Sequence, residues 1–362
     1  MRLSQVVRSG PGQYICEAGA LNFLDEKLRL FKNPVIITGE KSYEAFLNHY
    51  RGELRLPIYH YDGTASNEDM ARLAAAIKGA DCVVGIGGGR LLDTAKGTAA
   101  LLHIDYIMIP TVLGTCAAYT PLSAVYHPDH TFKAVEYYER AAYLCLMDLH
   151  LLVESPKSYF MGGIGDTLAK WYEAEAITRH VDDNDLSAMV HVGLKTAKLT
   201  QEILLNDTKE AIASLERQEV TPAFARVAEA VVAVAGTVGG FAGEYGRMAG
   251  AHAIHNGMSL VPETHESAHG VKVAYGVLVQ LMASGDEAEV KKLIPFFDEN
   301  NFPRRLESFG VSKNLPEAAA EIAEFAASEQ ETFHLAVPHI TKEAILQAMK
   351  RVENLGRVEV LQ

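Results

Sequence analysis

Short apolar runs alternate with amphipathic stretches along the first part of the chain. Pro34-Val35-Ile36-Ile37-Thr38-Gly39 reads as a buried strand closed by a glycine turn, with a helix from about Ser42. Asp81-Cys82-Val83-Val84-Gly85-Ile86-Gly87 and Tyr106-Ile107-Met108-Ile109-Pro110-Thr111 repeat the pattern, and 142–148 supplies a last strand. Strands apolar on both faces, separated by helical stretches, predict a mostly parallel sheet flanked by helices. After Pro156 the rhythm changes. Apolar residues now return at helical spacing, as in Phe224, Val227, Ala228, Val231 and Val232. The pattern predicts an α/β domain over 1–155 and a helical domain over 156–362.

Composition narrows this picture. The 362 residues suffice for two cores, and 48% hydrophobic with 22% charged residues is ordinary for a globular enzyme. A net charge of -13 argues against a nucleic-acid partner. The start, Met1-Arg2-Leu3-Ser4-Gln5-Val6-Val7-Arg8, lacks the apolar core of a signal peptide. The apolar stretch from Ala230 to Gly243, bounded by Glu229 and Glu244, is expected to be too short for a bilayer. Cys16, Cys82, Cys116 and Cys145 form no CxxC pair. A cytoplasmic protein with no membrane partner is expected.

Two groups of residues carry candidate chemistry. In Gly85-Ile86-Gly87-Gly88-Gly89-Arg90-Leu91-Leu92-Asp93 a strand runs through glycines into a helix. Glycines admit a pyrophosphate close to the backbone, and a helix N-terminus offers free N–H groups. The spacing is not GxGxxG, and a tight turn needs such glycines without any ligand. Asp93 suits the first turn of that helix, and Thr111 and Thr115 end the next strand, where ligands of open sheets gather. The second group is Asp166, then His252 and His255, then His269. Carboxylate and imidazoles from separate helices can converge on one divalent metal. Spacing alone does not choose between His252 and His255, and Asp166 also reads as a helix cap before Thr167.

Taken together, Gly87-Gly88-Gly89 with Asp93-Thr94-Ala95-Lys96, Gly163-Ile164-Gly165-Asp166, His252-Ala253-Ile254-His255-Asn256-Gly257 and His269-Gly270 resemble the iron-containing alcohol dehydrogenase superfamily. Within its glycerol-dehydrogenase-like branch the chain is similar to the bacterial hydroxycarboxylate dehydrogenases, through Thr115-Cys116-Ala117-Ala118 and Lys272-Val273-Ala274-Tyr275-Gly276.

The resemblance implies a dehydroquinate synthase-like fold. An N-terminal Rossmann-like α/β domain would join an all-α C-terminal domain, with the active site between them. It implies Asp166, His252 and His269 as metal ligands, with His255 helping to relay a proton. It also implies NAD(P)(H) bound by Gly39, Gly87, Gly88, Gly89, Arg90, Leu91, Asp93, Thr111, Gly114, Thr120, Leu122 and Tyr126. Two departures matter. The fourth ligand of iron-dependent members, a histidine, is replaced by Lys170, which favours zinc over iron. The polyol-binding aspartate is replaced by Cys116. Lys170 then suits a substrate carboxylate, so the expected activity is reversible hydride transfer on a small 2-oxo or 2-hydroxy acid by a homo-oligomer. Gly39, where NAD-specific relatives carry an acid, favours NADP(H). The alternatives are a glycerol or polyol dehydrogenase, a lyase of the dehydroquinate-synthase type and a non-catalytic nucleotide-binding protein.

Overall fold

The computed structural model describes residues 3–312 and 314–355. By packing the chain forms two units, one of Arg8–Gly163 with Glu210–Gly240, the other of Ile164–Lys209 with the chain from Phe241 onward and the first few residues. Strands cease near residue 150, close to the compositional change, but the segment Glu210–Gly240 packs with the strand-bearing unit.

That unit contains strands β1 (Gln13–Glu17), β2 (Pro34–Thr38), β3 (Ile58–His60), β4 (Cys82–Gly87), β5 (Asp105–Pro110), β6 (Leu122–Tyr126), β7 (Phe132–Tyr137) and β8 (Leu144–Asp148). Six form a parallel sheet in the order β1-β8-β5-β4-β2-β3, while β6 and β7 make a separate antiparallel pair. This is the expected Rossmann-like arrangement. The predicted strands are β2, β4, β5 and β8, and three of these (β2, β4 and β8) are buried along their whole length. Ile36, Val84, Ile86, Ile107, Ile109, Leu144 and Leu146 share one core with Phe46 of the helix Glu40–His49. Burying each such side chain stabilises the fold by roughly 1.5–3 kcal/mol.

The chain leaves β2 for β3 in one direction and leaves β4 for β5 in the other. That reversal is a topological switch point, where open sheets bind ligands at the carboxyl ends of the strands. Gly39 and Gly87 lie at those two ends.

The second unit is helical. It includes Gly250–Met258, His269–Ala283, Glu287–Glu299, Leu315–Ala326, Lys342–Asn354 and the later turns of Lys157–Thr178. Two glycines let these helices touch backbone to backbone. A Cβ on Gly165 would lie 2.3 Å from the carbonyl oxygen of Gly270, and one on Gly276 would lie 2.3 Å from that of Ala251.

The expectation that the apolar segment is too short for a membrane does not hold as a matter of length. Helical turns run without a break from Pro222 to Gly246, 25 residues, long and apolar enough to cross a bilayer. A π-helical turn at Ala230–Val234 joins the parts. Burial gives the better account, because 67% of an apolar 18-residue stretch within it lies inside the protein, as in a core helix.

A buried ion pair ties the glycine-loop helix, Gly89–Leu102, to the segment that follows β5. Lys96 is fully buried and pairs with Asp93 Oδ1 at 2.8 Å. Its ammonium also donates to the carbonyls of Ala117 (2.8 Å), Thr120 (3.1 Å) and Leu122. Removing one partner of a buried pair strands the other charge, at a cost of about 3–5 kcal/mol. Lys96→Met is therefore expected to destabilise the protein by about that amount in denaturant unfolding, and Asp93→Asn in the same chain to restore part of the loss. A Lys96→Met protein as stable as the parent would contradict this account.

Candidate functional site

Asp166 lies well inside the helix Lys157–Thr178, so it is not the helix cap that its neighbours suggest. Its carboxylate is buried and faces three nitrogens. Oδ1 is 3.3 Å from His252 Nε2 and 3.4 Å from His269 Nε2, and Oδ2 is 3.6 Å from Lys170 Nζ. One donor atom from each of Asp166, His252 and His269 falls within 4.8 Å of the others. Zinc bonds of roughly 2.0–2.1 Å in a tetrahedron place neighbouring donors roughly 3.3–3.4 Å apart. Both contacts to Asp166 Oδ1 have that length, so two edges of the donor set match a small tetrahedral cation. Among the described residues no fourth histidine, cysteine or carboxylate joins the group.

Between the two candidate histidines of the helix Gly250–Met258, His252 is the one that faces Asp166. Its other nitrogen, Nδ1, is 2.7 Å from Glu173 Oε2. Glu173, fully buried, also accepts from the backbone N–H groups of Ala249 (2.7 Å) and His252 (3.0 Å). Gln280 Oε1 accepts from Ala251 N at 2.9 Å. The first turn of a helix leaves its N–H groups without partners. Here Glu173 and Gln280 supply acceptors, and the same carboxylate fixes the imidazole with Nε2 towards Asp166. Such outer carboxylates orient metal-binding histidines and raise their basicity.

The charges follow from these contacts. Burial alone would raise the Asp166 carboxyl, but the Lys170 ammonium and the hydrogen bonds from His252 and His269 hold it well below the usual carboxylate range. Burial works against a charged His252, yet the Glu173 carboxylate and the bonds to Asp166 and Glu173 outweigh it, lifting its pKa to about 9. Two buried carboxylates thus create a demand for positive charge that a divalent cation meets. His255 behaves oppositely: burial, with His269 and Lys272 beside it, pushes its pKa well down. His255 Nε2 is 2.9 Å from His269 Nδ1, and its Nδ1 is 2.9 Å from Asn256 Oδ1.

The glycine loop lies in the other unit. Gly87 ends β4, Gly88 precedes the helix Gly89–Leu102 with no side-chain cap, and Gly89, Arg90 and Leu91 open it. A Cβ on Gly89 would come within 3.0 Å of Thr115 Oγ1. Arg90 lies over the ring of Tyr126 at 4.7 Å, and Thr111 donates its N–H to the Gly87 carbonyl at 3.1 Å. Thr120 donates through its hydroxyl to the Cys116 carbonyl at 3.3 Å, and Leu122 opens β6. Asp93 spends its carboxylate on Lys96 and on the N–H of Ala124, so its visible work is to hold β6. Gly114 has Tyr159 as its nearest neighbour. At Gly39 the backbone is extended, and Tyr61 and Ser42 crowd the space a Cβ would take.

Sequence reading missed Glu173, Gln280 and Asn256 as neighbours of the histidines. A signal for Glu173 was present, because Asp166, Lys170 and Glu173 recur at helical spacing and share one face. Lys170 pairs with Asp166, while Glu173 takes His252 and Glu175 takes Arg179.

Comparison with known proteins identifies the family. Residues 11–149 match the family model described as iron-containing alcohol dehydrogenase. Hydroxycarboxylate dehydrogenase A of Escherichia coli (strain K12) is 33% identical over 95% of this chain and 96% of its own. A glycerol dehydrogenase of Thermotoga maritima is 32% identical over 96% and 97%. Among solved structures, a probable glycerol dehydrogenase from Sinorhizobium meliloti 1021 superposes with a TM-score of 0.85 at 26% identity, covering 97% of this chain and 99% of that one. The chain is an oxidoreductase belonging to the iron-containing alcohol dehydrogenase family, in its glycerol-dehydrogenase-like branch.

Proposed function

We propose that this protein is a metal-dependent, NAD(P)(H)-linked dehydrogenase that interconverts a small 2-oxo acid and the corresponding 2-hydroxy acid. The carrying observation is the convergence of Asp166, His252 and His269 with the Lys170 ammonium beside them. In this reading 156–362 holds the cation through those three residues, zinc in preference to iron because a lysine stands where a fourth ligand would be. Residues 1–155 bind the dinucleotide, with its pyrophosphate at Gly87, Gly88, Gly89, Arg90 and Leu91. When bound, the cation supplies Lewis-acid polarisation of the substrate oxygen and the nicotinamide exchanges the hydride.

The chain's own residues then orient and select. Glu173 keeps His252 turned towards Asp166. Lys170, partly neutralised by Asp166 but still 12% exposed at its side chain, offers a cation to a carboxylate next to the reacting carbon. Cys116 contributes no charge that would repel an anion. The reading has support in the E. coli relative, named for hydroxycarboxylates. The T. maritima relative, named for glycerol, favours a second reading with a neutral polyol substrate. A panel of 2-oxo acids, aldehydes and polyols with added metal separates the two.

The ligand assignment is checked by metal analysis. His252→Ala is expected to lose turnover and most bound metal while its circular dichroism stays that of a folded protein, and full metal occupancy would remove His252 from the ligand set. Substrate class is checked through Lys170. A charge-assisted contact is worth roughly 1.5–3 kcal/mol, about ten- to a hundredfold or more in rate. Lys170→Met should lower kcat/KM for 2-oxo acids by about that factor and spare neutral aldehydes. Equal losses on both classes would assign Lys170 to the metal site or the fold. For the dinucleotide, Gly39 follows β2 and brings no carboxylate, and the exposed Lys41 can meet a 2′-phosphate, with Glu40 opposing it. NADPH is expected to exceed NADH in kcat/KM, and the reverse order would refute the assignment.

A further inference from the structure

Among the described residues two lysines are buried, Lys96 and Lys272. Lys96 shows what a buried ammonium requires. It pairs with Asp93 and donates to the carbonyls of Ala117, Thr120 and Leu122. Lys272 is only 5% exposed, yet among the described residues no carboxylate or carbonyl meets its ammonium. The acids of this region are engaged elsewhere. Asp166 faces Lys170 and two imidazoles, Glu173 holds His252, and Glu331 accepts from the Asn256 amide at 3.1 Å. Burial lowers the Lys272 pKa from that of an ordinary lysine, with no anion to offset it. An ammonium withdrawn from water without a counter-charge is unfavourable, and an arriving anion relieves it.

The fold places that unmet charge beside the candidate metal centre. Lys272 lies one helical turn after His269 on the helix His269–Ala283. Its charge reaches His255 and helps to depress that imidazole, and His255 Nε2 is 2.9 Å from His269 Nδ1. Lys170, on the helix Lys157–Thr178, already serves the carboxylate next to the reacting carbon. Lys272 is a second cation from a different helix. One ammonium matches the single charge of a carboxylate, whereas a phosphate dianion calls for further donors.

We propose that Lys272 is a specificity-determining residue that binds a second carboxylate of the substrate, at the end remote from the reacting carbon. The favoured substrates are then small 2-oxo dicarboxylic acids and their 2-hydroxy counterparts. The proposal deepens the reading of the site as a 2-oxo acid dehydrogenase and rests on it for turnover, but not for binding.

The test uses the full chain with zinc added and two acids of equal chain length. 2-Oxoglutarate and 2-oxopentanoate differ only at the far end, a carboxylate against a methyl group. A charge-assisted contact is worth about 10–100-fold. The parent should favour 2-oxoglutarate in kcat/KM by about that factor. Lys272→Met should bring the ratio close to unity, and Lys272→Arg, which keeps a cation, should retain most of it. A parent that does not favour 2-oxoglutarate would overturn the proposal, as would a Lys272→Met protein that keeps the ratio. Equal losses on both acids would also overturn it, by assigning Lys272 to the metal site or the fold. Denaturant unfolding adds a readout that a structural role would move. Lys272 has no partner to strand, so Lys272→Met should be no less stable than the parent, and a destabilised or unfolded variant would count against the proposal. Calorimetry with glutarate and pentanoate, which carry no oxo group, separates the proposal from the reading beneath it. Glutarate should bind the parent about 10–100-fold more tightly than pentanoate and lose that advantage in Lys272→Met. Turnover confined to polyols would defeat the 2-oxo acid reading, whereas equal binding of the two acids would defeat the role of Lys272.

Discussion

The candidate metal centre depends on three helices approaching more closely than ordinary side chains permit. Gly165 precedes Asp166 and meets the backbone of Gly270, which follows His269. Gly276, two turns further along the His269 helix, meets the backbone of Ala251, which precedes His252. Each contact therefore lies one residue from a donor. Any Cβ at Gly165 or Gly276 would have to displace a main-chain carbonyl, which cannot swing aside as a side chain would. The glycines thus fix the distances over which the donors face one another.

Close approach brings charge together, and the resulting electrostatics has to be satisfied locally. Asp166 and Glu173 are carboxylates buried on one face of a single helix, with His252 bonded to both. Burying carboxylates without partners would cost several kcal/mol each. Glu173 has backbone N–H groups as well as the imidazole, and Asp166 has Lys170 and two imidazoles. The helix that starts at Gly250 depends on this same carboxylate for its N-terminal N–H groups, so forming the helix and orienting the ligand are one event.

In the strand-bearing unit the corresponding constraint is the switch in strand order beside β4. Gly87-Gly88-Gly89 sits at the carboxyl end of that strand, where the backbone turns into a helix that no side chain caps. The Lys96 ammonium draws in the carbonyls of Ala117, Thr120 and Leu122.

Much of this was legible in the sequence. Three of the predicted strands (β2, β4 and β8) are buried along their whole length and appear as unbroken apolar runs, because both faces need hydrophobic side chains. Strand β1, QYICE, is half-exposed at an edge of the sheet, and β6 and β7 form a partly exposed hairpin, so none shows that signature. The residue types of the metal centre were also visible, as was the glycine loop. The tertiary structure alone decided which histidine faces Asp166, and that Glu173 holds that histidine from its other side. Glu173 and His252 are 79 residues apart, and Asn256 and Glu331 are 75 apart. Periodicity along a chain records which face of an element is buried. The choice of hydrogen-bond partner among buried groups depends on how separate elements dock, and no local pattern encodes that.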